Sequence, residues 1–151
     1  MGIKYRNKGV IGLKVALIST EKLPVPPVSG GAVQLYIEGI ASYLSKQHDI
    51  TVFSILAPGL PEEEVKNSVR YIRVPGRTEG LYIKNIKAKL DNTYDLIHVF
   101  NRPRFLLSFA EHFPDARFSL SLHNEMFHKE KITDESALKC VEKAEFINTV
   151  S

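Results

Sequence analysis

Hydrophobic residues recur along the chain in two patterns, short continuous runs and longer runs with helical spacing. The continuous runs are typical of strands covered on both faces, and they predict strands at 15–18, 50–56, 69–74, 96–100, 118–122 and 146–150. The runs with helical spacing predict helices at 32–47, 79–90 and 105–113, and the capping residues at 133–136 predict a fourth helix that runs to about 144. Strands that alternate with helices predict an α/β fold, with a mostly parallel sheet of about six strands and helices on both faces.

Two connections are predicted to be loops. Residues 21–31 contain three prolines and end in Gly30 and Gly31, a composition that excludes a helix. Residues 57–68 are polar and marked by proline. In the helix that follows the glycines, Gln34 falls on the polar side of the pattern and is expected to face solvent.

The domain organisation is predicted to be a basic leader at 1–13 followed by one domain at 14–151. The chain stops directly after a predicted strand, which a complete doubly wound domain would cover with a further helix. The sequence therefore predicts one half of a larger protein.

Composition excludes several classes of function. The formal net charge of +3 comes from 20 basic and 17 acidic residues that are interleaved, so a nucleic-acid partner is not expected. No apolar run approaches the roughly 20 residues that cross a bilayer, so membrane contact is expected to be peripheral at most. Cys140 is the single cysteine, and a cytoplasmic location fits best.

The carboxyl ends of the predicted strands are the expected ligand site, because open α/β sheets bind ligands beyond that edge. The loops at this edge contribute the residues that we predict to bind substrate or to act in catalysis: Gly30, Gly31, Asn101, Arg102, His123, Asn124, Glu125 and Ser151.

The glycine pair precedes a predicted helix, where a ligand could approach the backbone and the helix N-terminus favours an anion such as phosphate. A tight turn that packs the helix on the sheet explains Gly30 and Gly31 equally well. The segment matches neither the dinucleotide fingerprint nor the P-loop, which disfavours both of those classes.

Among the polar residues at this edge of the sheet, which we call the rim, His123 is the predicted catalytic residue. It follows a predicted strand, and an imidazole donates or accepts a hydrogen bond near neutral pH. Asn124 and Glu125 either orient substrate hydroxyl groups or cap the loop. Arg102 either meets a phosphate or carboxylate or forms a surface ion pair. His98, inside an apolar strand, is predicted to be a buried structural histidine.

A metal site is not expected, because His123, His128 and Cys140 do not show a zinc spacing.

Four ordered motifs, at 14–27, 30–36, 97–103 and 120–127, together resemble family 4 glycosyltransferases, and among them the spore coat protein SA group. The resemblance implies a GT-B architecture of two facing Rossmann-like domains, of which this chain would be the N-terminal, acceptor-side one. It also implies a metal-independent, retaining transfer from a nucleotide-sugar donor such as a UDP-sugar to a glycan or small-molecule acceptor, with no cofactor.

Carried over by position, the resemblance implies that Gly30 and Gly31 lie near the donor diphosphate. It implies that His123 contacts the transferred sugar, and that Asn124 and Glu125 line the acceptor side. One departure is Phe100, which stands where many members have a second histidine.

The resemblance implies that the C-terminal donor domain lies outside these 151 residues, so the isolated chain is expected to catalyse little or nothing. The alternative is a non-catalytic structural or interaction protein of the spore coat that keeps the fold. A third class is a flavodoxin-like regulator that binds phosphate or a nucleotide.

Overall fold

The computed structural model of the protein describes residues 4–6, 10–124 and 126–150. The strands are β1 (Lys4–Arg6), β2 (Val10–Gly12), β3 (Lys14–Ile18), β4 (Asp49–Ile55), β5 (Glu63–Lys66), β6 (Val69–Val74), β7 (Leu96–Phe100), β8 (Phe118–Leu122) and β9 (Ala144–Thr149). The helices are α1 (Ala32–Leu44), α2 (Glu79–Lys89), α3 (Pro103–His112) and α4 (Asp134–Lys143).

A seven-stranded sheet in the order β5-β6-β4-β3-β7-β8-β9 organises the molecule. All pairings are parallel except that of β5 with β6. In the register of the central strands, Leu17 lies beside Val52 on one side and His98 on the other. The predicted α/β fold with a mostly parallel sheet is confirmed.

One strand was missed by the sequence prediction, which assigned 57–68 to a loop. Residues Glu63–Lys66 form β5, an antiparallel edge strand in which Val65 is the sole apolar side chain. Its hydrophobic signal is weak because an edge strand is solvated, and charged residues there discourage pairing with another sheet. The sheet accordingly has seven strands rather than about six.

Helix positions follow local sequence signals. The N-cap of α4 is Thr133, whose Oγ1 accepts a hydrogen bond from the Ser136 backbone N–H at 3.1 Å, as the capping residues predicted. Helix α3 starts at Pro103, two residues before the predicted start, in the first helical position that proline favours.

Helices cover both faces of the sheet, as predicted. Helix α1 buries Ile37 and Ala41 against one face. Helices α2 and α3 bury Tyr82, Phe105 and Phe109 against the other face. Helix α4 packs beside α3. Within the described part of the chain, no helix is long and apolar enough to cross a membrane.

Part of the predicted basic leader forms secondary structure. Strand β1 pairs antiparallel with β2, with Tyr5 opposite Ile11. Residues 1–3 and 7–9 lie outside the described residues.

A buried arginine fixes the long loop that connects β3 to α1. The Arg73 side chain, which is 0% exposed, donates from Nε (3.2 Å) and Nη2 (3.1 Å) to the Val25 carbonyl oxygen. Its Nη1 donates to the Pro61 carbonyl at 2.8 Å, and Nη2 also contacts Glu64 Oε1 at 2.9 Å. One side chain of β6 therefore joins two loops that are distant in sequence.

The same loop folds back over the first turn of α1, which corrects the expectation for Gln34. This residue is 3% exposed, and its Nε2 donates to Thr20 Oγ1 at 2.9 Å. The amphipathic pattern assigned Gln34 to solvent because it contains no information about the loop that covers this side of the helix.

Candidate functional site

The parallel pairing of β3, β7, β8 and β9 brings the residues that follow these strands to one edge of the sheet. Asn101 follows β7, and His123 follows β8. These two residues form the centre of the candidate site.

Asn101 connects the two loops. Its Oδ1 accepts a hydrogen bond from the His123 backbone N–H at 3.0 Å, and its own backbone N–H donates to the Ser121 carbonyl at 2.6 Å. The residue is 3% exposed and adopts a left-handed backbone conformation with φ of 55°. Asparagine tolerates this conformation better than most residues. Asn101 thus positions His123, and its direct contact with substrate stays a prediction.

Aromatic rings hold the imidazole of His123. The Tyr36 ring, from the second turn of α1, meets it edge-on with centroids 5.1 Å apart and an angle of 75°. The Phe100 ring lies at 6.1 Å. The Nε2 atom is buried and has no hydrogen-bond partner among the described residues. Burial lowers the pKa of His123, which favours a neutral ring at neutral pH.

A cavity of about 630 Å³ opens beside this histidine. Its lining combines apolar and polar side chains from the ends of β8 and β9 and from the loop between β8 and α4: Leu122, His123, Asn124, Met126, Phe127, His128, Thr149 and Val150. Asn124 is exposed, so its amide is accessible to a ligand. The structure therefore brings His123 and Asn124 into one cavity. Glu125 and Ser151, also predicted for this site, lie outside the described residues.

The two predicted glycines do not line this cavity, and they differ from each other. Both have positive φ, 92° at Gly30 and 117° at Gly31. A Cβ on Gly31 would overlap Gln34 Oε1 and lie 2.9 Å from Leu23 Cδ1, whereas one on Gly30 would meet nothing within 4 Å. Close packing is thus one reason for a glycine at position 31, and ligand approach at Gly31 stays a prediction. Ligand approach at Gly30 stays a prediction.

Arg102 is engaged by an acidic residue that the sequence analysis did not single out. Its Nε and Nη2 donate to the two carboxylate oxygens of Glu21 at 2.8 and 3.2 Å. Burial alone would raise the pKa of Glu21, but the hydrogen bonds and charge of Arg102, a backbone hydrogen bond and the charge of Lys22 together lower that pKa. The sequence feature that could have identified Glu21 as a site residue is its position shortly after β3, at the same edge of the sheet as Arg102.

His98 is buried, as predicted, and belongs to a polar network on the sheet. Its Nδ1 lies 2.5 Å from Ser119 Oγ and its Nε2 lies 2.6 Å from Ser121 Oγ. Ser121 Oγ also donates to Asn148 Oδ1 at 2.7 Å. Burial, with a smaller contribution from His123, lowers the pKa of His98 to about 4. The residue is therefore a neutral structural group at neutral pH.

Among the described residues, no group of three or more His, Cys, Asp or Glu side chains is arranged to hold a metal ion.

Comparison with known proteins adds to this geometry. No protein-family model matches the chain. Spore coat protein SA of Bacillus subtilis (strain 168) is 43% identical over 140 residues, which cover 92% of this chain and 36% of that protein. The two proteins are homologous. A second homologue, the putative glycosyltransferase YtcC of the same organism, is 41% identical over 140 residues, 92% of this chain and 34% of YtcC.

The chain is thus related to glycosyltransferase-type proteins, and it spans about a third of the length of the curated relatives it matches.

Proposed function

We propose that the chain is the acceptor-side, N-terminal domain of a family 4, GT-B glycosyltransferase that transfers a sugar from a nucleotide-sugar with retention of configuration. The observation that carries the proposal is the His123 Nε2 atom, which is buried beside a cavity of about 630 Å³ and has no hydrogen-bond partner in the described part of the chain. The relationship to a putative glycosyltransferase supports the reaction class.

The chemistry of His123 fits a sugar hydroxyl. A buried polar atom without a hydrogen bond costs about 1–3 kcal/mol, and a ligand hydroxyl in the cavity restores that bond. A neutral imidazole nitrogen either accepts from or donates to a hydroxyl, depending on the tautomer. Because Tyr36 and Phe100 hold the ring, little side-chain entropy is lost on binding.

Asn124 supplies a second contact at the same cavity. Its exposed amide offers two donors and one acceptor group, which suits the alternating donors and acceptors of a polyhydroxylated ligand. Together, His123 and Asn124 bind and orient hydroxyl groups in the proposed complex.

The donor-binding residues are proposed to lie in the part of such proteins outside the matched 140 residues. Glycosyl transfer needs both reactants to be held together in a site that excludes water. We therefore expect little or no turnover by these 151 residues alone.

The test is a transfer assay with labelled UDP-glucose and UDP-N-acetylglucosamine and a panel of sugar acceptors. The 151-residue chain is compared with a version extended by a complete carboxyl domain. The extended protein is expected to form product with the donor's anomeric configuration, and His123→Ala is expected to reduce turnover at least ten-fold. His112→Ala, on the exposed surface of α3, is the matched control. Unchanged turnover in His123→Ala would refute the proposed role of this residue, and robust turnover by the short chain would refute the divided site.

The name of one homologue favours a second candidate, a structural or interaction protein of the spore coat. Analytical ultracentrifugation and ligand titration distinguish the two. Concentration-dependent self-association that His123→Ala leaves intact, together with no response to UDP-sugars or sugar acceptors, would support the coat role.

A further inference from the structure

A second cleft, of about 200 Å³, lies beside the His123 cavity and shares Met126 with it. We call it the charged cleft, because six of the side chains that line it are ionisable: Glu21, Lys22, Glu79, Arg102, Arg104 and Lys131. They come from the loops after β3, β7 and β8 and from the first turns of α2 and α3.

Two of the four cationic side chains are neutralised by partners in the cleft. Arg102 is bonded to both carboxylate oxygens of Glu21. Arg104 Nη2 lies 3.3 Å from each carboxylate oxygen of Glu79. Among the described residues that line the cleft, these pairs leave two positive charges in excess.

The excess charges belong to Lys22 and Lys131. Lys22 Nζ lies 3.8 Å from Glu21 Oε1, but Arg102 already binds that carboxylate at both oxygens. Lys131 is exposed and takes part in none of the ion pairs found among the described residues. Two ammonium groups at one small cleft favour an anionic ligand.

The Arg102–Glu21 pair gives the cleft a fixed wall. The Glu21 side chain is 6% exposed and that of Arg102 is 16% exposed. Because the pKa of Glu21 is lowered, the carboxylate remains ionised and continues to bind Arg102 at neutral pH. The wall therefore does not need to reorganise when a ligand enters, which lowers the entropic cost of binding.

We propose that the charged cleft binds a phosphate or carboxylate group of the ligand whose hydroxyl groups contact His123. Met126 lines both cavities, so they are neighbours, and in the proposed complex one ligand extends from one cavity to the other. Occupation by one ligand rests on the proposed function, whereas anion binding in the charged cleft does not. The anionic group belongs either to a charged sugar acceptor or to the diphosphate of a donor.

Methyl NMR measures binding at this position directly. Met126 and Met1 are the only methionines, so selective ¹³C labelling gives two methyl signals, one of them at the boundary of the two cavities. The full chain is titrated at constant ionic strength with inorganic phosphate, glucose 6-phosphate, glucuronate, UDP and uncharged glucose. We expect the anionic sugars to bind more tightly than inorganic phosphate or glucose.

The double variant Lys22→Gln/Lys131→Gln tests the two excess charges. We expect it to bind phosphate and the anionic sugars about ten-fold more weakly and to leave glucose binding unchanged. The matched control is Lys84→Gln/Lys87→Gln, which removes the same charge from α2, outside the cleft. Both Lys22 and Lys131 are exposed, so the substitutions are expected to fold.

Equal phosphate binding by the wild-type chain and the Lys22/Lys131 variant would overturn the proposal, as would an equal loss in the control. Dependence on the two lysines, with no added affinity from the sugar and no effect of His123→Ala, would support the charged cleft and count against the proposed function. A lysine-dependent response to the sugar anions supports an acceptor as the source of the anion. A lysine-dependent response to UDP supports the donor as the source.

Discussion

The side-chain carbonyl of Asn101 accepts a hydrogen bond from the backbone N–H of His123 at 3.0 Å. This contact joins the loops that follow two adjacent parallel strands, β7 and β8. Asn101 has a left-handed backbone conformation, with φ of 55°, and its side chain fixes the position of the backbone of the candidate catalytic histidine.

Two substitutions of Asn101 measure separately what its side-chain hydrogen bond and its left-handed backbone conformation contribute to stability. Asn101→Gly removes the acceptor but tolerates positive φ, and we expect it to lower the free energy of unfolding by about 1 kcal/mol. Asn101→Ala adds the strain of the left-handed conformation, and we expect a loss of about 2 kcal/mol. Urea denaturation measures both. If alanine proved as stable as glycine, the backbone conformation would contribute nothing here.

The two glycines before α1 form a natural pair of test and control. Gly31→Ala is expected to be less stable than Gly30→Ala by about 1–2 kcal/mol, because its Cβ meets Gln34 and Leu23 whereas that of Gly30 meets open space. Both substitutions also carry a cost of positive φ, and this cost is greater at Gly31, whose φ of 117° lies farther from the left-handed region than the 92° of Gly30, so it adds to the difference. Thermal unfolding gives the difference, and equal melting temperatures would show that Gln34 and Leu23 move aside without cost.

Arg73 is expected to hold the loop at 21–31 in a single conformation. Arg73→Met leaves the Val25 and Pro61 carbonyls without their donor, and we expect it to lower the free energy of unfolding by about 3 kcal/mol and to speed amide exchange in the loop. Arg70→Met, at an exposed position of the same strand, is the control. Unaltered exchange in the loop would show that other contacts order it.

The buried imidazole of His98 predicts acid sensitivity. Its folded pKa of about 4 lies below the ordinary value of 6.5, so between these pH values the unfolded chain binds a proton that the folded protein does not. The contribution of the neutral His98 ring to the free energy of unfolding is fully present above pH 6.5. This contribution falls by up to about 3 kcal/mol as the pH drops to about 4.

Urea titrations from pH 7 to pH 4 measure this dependence. His98→Gln removes the larger of two contributions and is expected to reduce the slope, whatever its effect on absolute stability, while the lowered pKa of His123 keeps a residual slope of the same sign. His112→Gln, at an exposed position, is expected to keep it. A slope in His98→Gln as steep as that of the wild-type chain would assign the acid sensitivity to other groups.

The hydrophobic pattern predicted six of the seven strands in the main sheet and the helices α1, α2 and α3, because most of these elements bury apolar side chains with a regular period, whereas α4 was predicted from its capping residues. It missed β5 for the converse reason, since an exposed edge strand has little to bury. The ligand rim followed from topology, because parallel strands present their carboxyl ends at one edge.

The contacts of the site depended on tertiary structure. The sequence placed His123 and Asn124 on the rim and marked His98 as a core residue, because a residue's place in a strand or loop is a local property. The partnership of Arg102 with Glu21 joins residues 81 positions apart, and no local pattern records it. The burial of Gln34 likewise depends on a loop folding over its helix. Local periodicity therefore determined the elements, whereas long-range packing decided which polar groups are paired and which remain available to a ligand.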